Sequence, residues 1–265
     1  YTFGSPSAKR LAAFFANPLE LASSMILSFS VALGLFLSLK RKVNQYKYLS
    51  IMAVSLGSLL FAYSRGPFIG FFLLIFFTAI VLGYYRLIIV GSISVLVLAL
   101  FAFFFSGEDT RFLLIDTFNL ADPSSAGHVI AWLEGLESMV TQPFGIGLAT
   151  SGNASGVESD LQIGGENQFV IFGVQLGVPF LLVYILLLGT VINYSIKAYR
   201  VAKGTGYEVI PFVASTFKVA FLIPLFTANA EIYLYVAYIS WWMAGQSVSI
   251  YESGESLGKP LKGAL

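Results

Sequence analysis

Seven apolar runs, each close to the length that crosses a bilayer, dictate what this chain can become: about 19–39, 48–64, 67–84, 87–105, 168–194, 209–227 and 230–248. A hydrocarbon core about 30 Å thick takes about 20 residues of helix, because backbone groups away from water must bond to one another along the segment. The runs are too long for barrel strands and lack an alternation of period two. The predicted fold class is therefore all-α, a polytopic transmembrane helix bundle of about seven helices. Composition agrees, since 57% of the 265 residues are hydrophobic and 11% charged, against roughly 25% charged in an ordinary soluble domain.

Lys and Arg in short connections mark the cytoplasmic side of a membrane protein. Lys40, Arg41, Lys42 and Lys47 fall between the first two runs, Arg86 after the third, Lys197, Arg200 and Lys203 after the fifth, and Lys259 and Lys262 in the tail. Every second connection is basic, so those ends are expected in the cytoplasm and the long connection at 106–167 outside it. That connection carries nine acidic residues, Glu108 through Glu166, against Arg111 alone. The chain, 1–265, is expected to be a single membrane domain with 106–167 as its extracytoplasmic insertion. Its first residue, Tyr1, is preceded by no initiator Met or signal sequence, which reads as a piece of a longer protein.

Cysteine is absent, His128 is the single histidine, and no Asp-x-Asp pair occurs. No disulfide frame, metal site or cofactor is expected from such a chain. A net charge of +1 gives no reason to expect a nucleic-acid partner. Within the insertion, Asp122-Pro123-Ser124-Ser125 is a turn and cap signal. Val129, Leu133, Leu136 and Val140 then recur at helical spacing beside Trp132 until Pro143 ends the run. This predicts an amphipathic helix over 127–141 with Trp132 as its anchor and Glu134 and Glu137 on the opposite face. Glycines from Gly145 to Gly165 make the following stretch turn-rich.

A set of short patterns runs along nearly the whole chain in a recognisable order. They are Lys9-Arg10 with Asn17-Pro18 before the first span, Ser64-Arg65-Gly66 at a span end, Gly127-His128 with Trp132, Pro143-Phe144-Gly145-Ile146-Gly147, and Glu166-Asn167 with Gly177 beyond. Together they resemble the bacterial O-antigen polymerase and ligase family. His128 stands where that family often has Arg, and Glu166 where its ligases have a His, a departure that favours polymerase.

The resemblance implies a metal-independent glycosyltransferase that polymerises oligosaccharide units carried on undecaprenyl diphosphate, at the outer face of the bacterial cytoplasmic membrane. The lipid-linked donor, a glycan acceptor and other polysaccharide-assembly proteins such as a chain-length regulator are the implied partners. Arg65, Arg10, Arg111 and Lys218 would hold the diphosphate, Glu166 or His128 would take the proton, and Asn167 would orient the substrate. Arginine suits the first task because its planar fork meets phosphate oxygens in pairs and stays charged. Lys218 falls in mid-span, where an ammonium needs a wet cavity or a partner; an ion pair with Glu20 or Glu231 is the structural alternative. Two other readings stand beside polymerase: a ligase that moves glycan onto lipid A core, and a transporter or flippase in which Lys218 and Glu231 carry coupling charge.

Overall fold

A computed structural model gives the fold and describes residues 11–38, 45–86, 88–89, 91–93, 123–152, 163 and 165–257. Its elements are α1 (Pro18–Ser38), α2 (Gln45–Phe61), α3 (Arg65–Ile80), α4 (Pro123–Thr141), α5 (Gln168–Ala202), α6 (Val209–Thr227), a 3-10 turn (Ala230–Ile232) and α7 (Leu234–Leu257). Three of them, α1, α5 and α6, are long and apolar enough to cross a membrane, and α3 is a shorter apolar helix. The chain is a helical membrane bundle. Most of the run at 87–105, together with Arg10 and Arg111, lies outside the described residues.

The axis of the bundle is α6. Every residue from Pro211 to Ala220 is buried, and α1, α3, α5 and α7 pack around it. Ser215, Thr216 and Lys218 lie in its buried middle, and polar side chains of a membrane helix turn to the bundle interior rather than to lipid, which puts this helix at the centre. Its neighbours come close through small residues: Gly70 of α3 lies on the Ala220 carbonyl and Pro224, and Gly34 of α1 on the Phe212 ring. The hydroxyls of Ser30 and Thr216 hydrogen-bond at 2.6 Å across the α1–α6 contact. Close packing and such polar links hold helices together where lipid supplies no hydrophobic drive between them.

The run read as a single span at 168–194 is an elbow. Gly177 adopts φ 85° and ψ 166°, a left-handed conformation that glycine enters without a steric cost. Phe169 and Tyr184, on either side of it, would stand about 22 Å apart along a straight helix, yet their ring centroids are 6.0 Å apart. Phe172 likewise meets Phe180 at 5.5 Å. The short arm, 168–176, is folded back against the long arm, 178–202.

Breaking a helix leaves backbone groups that must be bonded again, and the turn after α4 does this. The Val178 N–H donates to the Pro143 carbonyl at 2.8 Å, while the N–H groups of Ile146 and Gly147 donate to the Val174 and Gln175 carbonyls at 2.9 and 3.1 Å. Gly145, at φ 85°, lies against the backbone of Gln175 and Gly177, where no side chain fits. The Pro-Phe-Gly-Ile-Gly pattern is thus the plug of the elbow.

The helix predicted at 127–141 is present as α4, but its apolar stripe is not the buried face. Val129, Leu133, Leu136 and Val140 are exposed, whereas Gly135, Ser138 and Met139 are buried. Met139 lies over Gly173 of the short arm. Small residues set this contact because they let two helices approach, and an amphipathic pattern cannot report that.

Candidate active site

Several helix ends meet at one end of the bundle, where α1 and α3 begin and α6 stops. The start of α1 is closed by a variant of the capping box: Asn17 Oδ1 accepts the Glu20 N–H at 2.8 Å, and Glu20 Oε2 reaches one residue past the cap to accept the Ala16 N–H at 3.1 Å. Pro18 fits the first helical position, where no N–H is needed. At the start of α3, buried Gly66 sits on Thr227, the last residue of α6. Arg65 beside it is exposed.

On α4, the Trp132 ring packs edge-to-face on Phe226 at 5.0 Å, and half-buried His128 lies 6.5 Å from the Trp132 ring. Trp132 also joins the cluster of Met139, Val170 and Val174, so it is the anchor that its sequence position predicts. Gly165 rests on Ala131, which brings half-buried Glu166 to the same helix. Asn167 caps the short arm of α5: its Oδ1 accepts the N–H groups of Phe169 at 2.9 Å and Val170 at 3.3 Å. That oxygen is therefore engaged by the backbone, and a cap of this kind contributes about 1 kcal/mol.

Tyr233, just past the 3-10 turn, links the two ends of the sequence. It is buried, takes a hydrogen bond from Asn17, and lies close enough to the Glu166 and Glu20 carboxylates to feel their charge. Neither Tyr233 nor Glu20 stands out in the sequence as a site residue. Asn17-Pro18-x-Glu20 has the spacing of a capping box and could have been found, whereas an aromatic at the end of an apolar run carries no signal.

The Ser64-Arg65-Gly66 turn, α4 with His128, and Glu166-Asn167 thus come to one end of the bundle, near the last turn of α6 and Tyr233. Lys218 does not: it lies nine residues before Thr227, about 13 Å deeper along the helix, and is completely buried. Among the described residues, no three His, Asp or Glu side chains are grouped as metal ligands would be.

With the geometry in place, comparison with known proteins adds one finding. A family model described as O-antigen ligase matches residues 50–185, from within α2 into the long arm of the elbow. That stretch is more than half of the chain and includes Arg65, His128, Glu166 and Asn167, while Lys218 falls beyond it. No curated protein matches the chain.

Proposed function

The chain belongs to the O-antigen ligase family, and from that premise we propose that it polymerises oligosaccharide units carried on undecaprenyl diphosphate at the outer face of the bacterial cytoplasmic membrane. The observation that carries this reading is that Ser64-Arg65-Gly66 and Glu166-Asn167, far apart in sequence, stand at one end of the bundle, around Thr227 and Tyr233. In the reaction, an acceptor hydroxyl attacks the anomeric carbon of the donor sugar. The new C–O bond forms as the bond to the diphosphate breaks, and its electron pair leaves with the diphosphate.

Each step has a residue suited to it. Arg65 neutralises the departing diphosphate through paired hydrogen bonds. Glu166 accepts the proton of the attacking hydroxyl, held near Tyr233 and the capped start of the short arm; His128 is the alternative base. Arg10 and Arg111 are further candidates for the diphosphate.

The family's designation as O-antigen ligase supports a second reading, transfer of finished glycan to lipid A core. Membranes supplied with a lipid-linked repeat unit separate the two. A polymerase lengthens the lipid-linked glycan and releases undecaprenyl diphosphate without further acceptor, whereas a ligase releases it only when lipid A core is added. Loss of both reactions would remove the proposal. Its orientation is tested by Leu148→Cys and Tyr207→Cys, both at exposed positions: an impermeant thiol reagent should label the first in intact cells and the second only after lysis.

A further inference from the structure

Glu231 sits in the crook of the α5 elbow. Its backbone N–H donates to Gln168 Oε1 at 3.0 Å on the short arm, and its Oε1 accepts the Tyr184 hydroxyl at 2.7 Å on the long arm. Its Oε2 accepts the Trp241 Nε1–H of α7 at 3.1 Å. One residue therefore ties both arms of the broken helix to α7. Gln168 directly follows Glu166 and Asn167, so this tie also sets where the short arm begins.

The ammonium of Lys218 approaches the same tryptophan from α6. Its Nζ stands 3.7 Å from the Trp241 ring centroid, is fully buried, and has no hydrogen-bond partner among the described residues. The carboxylate that acts on it is Glu231. A cation over an indole face is attracted to the ring electrons, and an indole whose N–H is bonded to a carboxylate is polarised so that this face is more negative. Trp241 thus lies between the two charges, with the carboxylate at its edge and the ammonium on its face.

We propose that Lys218 and Glu231 form an internal, charge-compensated clasp, transmitted through Trp241, that holds the elbow closed and thereby positions Glu166 and Asn167. Lys218 acts through Glu231 and does not touch the diphosphate. Removing one member of a buried pair leaves the other charge uncompensated, whereas removing both leaves none. The placement of the short arm is what the clasp controls, so its loss slows the chemical step and leaves donor binding at Arg65 intact. This last consequence rests on the proposed function; the coupling of the two charges does not.

The test is a double-mutant cycle on the full chain in lipid nanodiscs, with Lys218→Met, Glu231→Gln and both together. Thermal melting is measured without substrate, alongside Trp241 emission isolated by subtracting a Trp241→Phe protein. Each single variant should melt at a lower temperature and shift the Trp241 emission, and the double variant should melt closer to wild type than either single one. With lipid-linked donor, Lys218→Met should lower kcat on the order of 10²-fold, the scale of a misplaced reacting group, with KM nearly unchanged, and Glu231→Gln added to it should restore part of kcat. Additive melting effects overturn the clasp whatever the activity proves to be. So does a Lys218→Met protein with normal melting and a raised KM, which would make Lys218 a substrate contact. If a single variant fails to fold while the double one folds, the clasp is supported; if the double one also fails, the charges are not each other's compensation and the proposal falls.

Discussion

The two ends of the bundle handle charge in opposite ways. At the basic end, cations are absorbed by structure: Lys203 lies over the rings of Tyr84 and Tyr199 at 5.7 and 5.9 Å, and those two hydroxyls hydrogen-bond to each other at 2.7 Å. Lys197 lies over Tyr194 and Tyr251 at 5.3 and 5.9 Å. Glu208 accepts the Gly204 N–H and closes the turn between α5 and α6. At the other end, backbone is what the side chains satisfy, at the Asn17 and Asn167 caps and in the plugged elbow, and Arg65 is turned outward. The difference is that the basic end sets its lysines against aromatic rings, while the end with the candidate site caps its helix starts with Asn17 and Asn167 and leaves Arg65 at the surface.

The strongest way to break this comparison is at Glu166. Glu166→Gln keeps the shape but removes proton affinity, and polymer synthesis by membranes should fall by about 10² to 10⁴, the range for loss of a general base. His128→Asn should be milder; the reverse ranking would move the base to His128. Next in size is Arg65→Ala, expected to cost about 10² to 10³ in kcat, comparable with losing a donor to developing negative charge. Arg65→Lys should recover little of this, because a point charge lacks the fork. Full activity in either Arg65 variant would make the outward Arg no different from the anchoring cations.

A smaller effect is expected at the elbow. Gly177→Ala meets both a positive φ and the backbone of Pro143 and Phe144, and should cost about 1–3 kcal/mol of stability, read as a lower melting temperature together with lost activity. Smallest of all is Tyr199→Phe at the basic end. It deletes one hydroxyl bond worth about 0.5–1.5 kcal/mol and should leave turnover untouched. A drop in turnover there would show that the two ends are not separable.

Much of the architecture was open to sequence reasoning, for a simple reason. Lipid forces spans to be long and apolar, so α1 and α6 stand where the runs at 19–39 and 209–227 predict. The elbow was not legible, because Gly and Pro also occur in unbroken membrane helices. What distinguishes Gly177 is the plug around Pro143, whose bonds to the short and long arms join segments about 30 residues apart. At the site, Arg65 and Glu166 could be singled out by type and pattern. Asn167 could be singled out too, but its capping role emerges only once the helix start is fixed. For Lys218, the ion-pair alternative named Glu231 correctly as a neighbour, but not the tryptophan between them.

The elbow also imposes a rule about chain length. The short arm, 168–176, makes roughly two and a half helical turns, and both of its extremities are pinned, one by the Asn167 cap and the other by the backbone bonds to the plug. Adding or deleting one residue between them would rotate one extremity against the other by about 100°. Glu166 would then point away from Tyr233, or the plug would lose its register. Within this stretch, apolar side chains can be exchanged for others of similar size, but the count of residues cannot change. Among descendants of this sequence, substitutions should accumulate there while insertions and deletions do not.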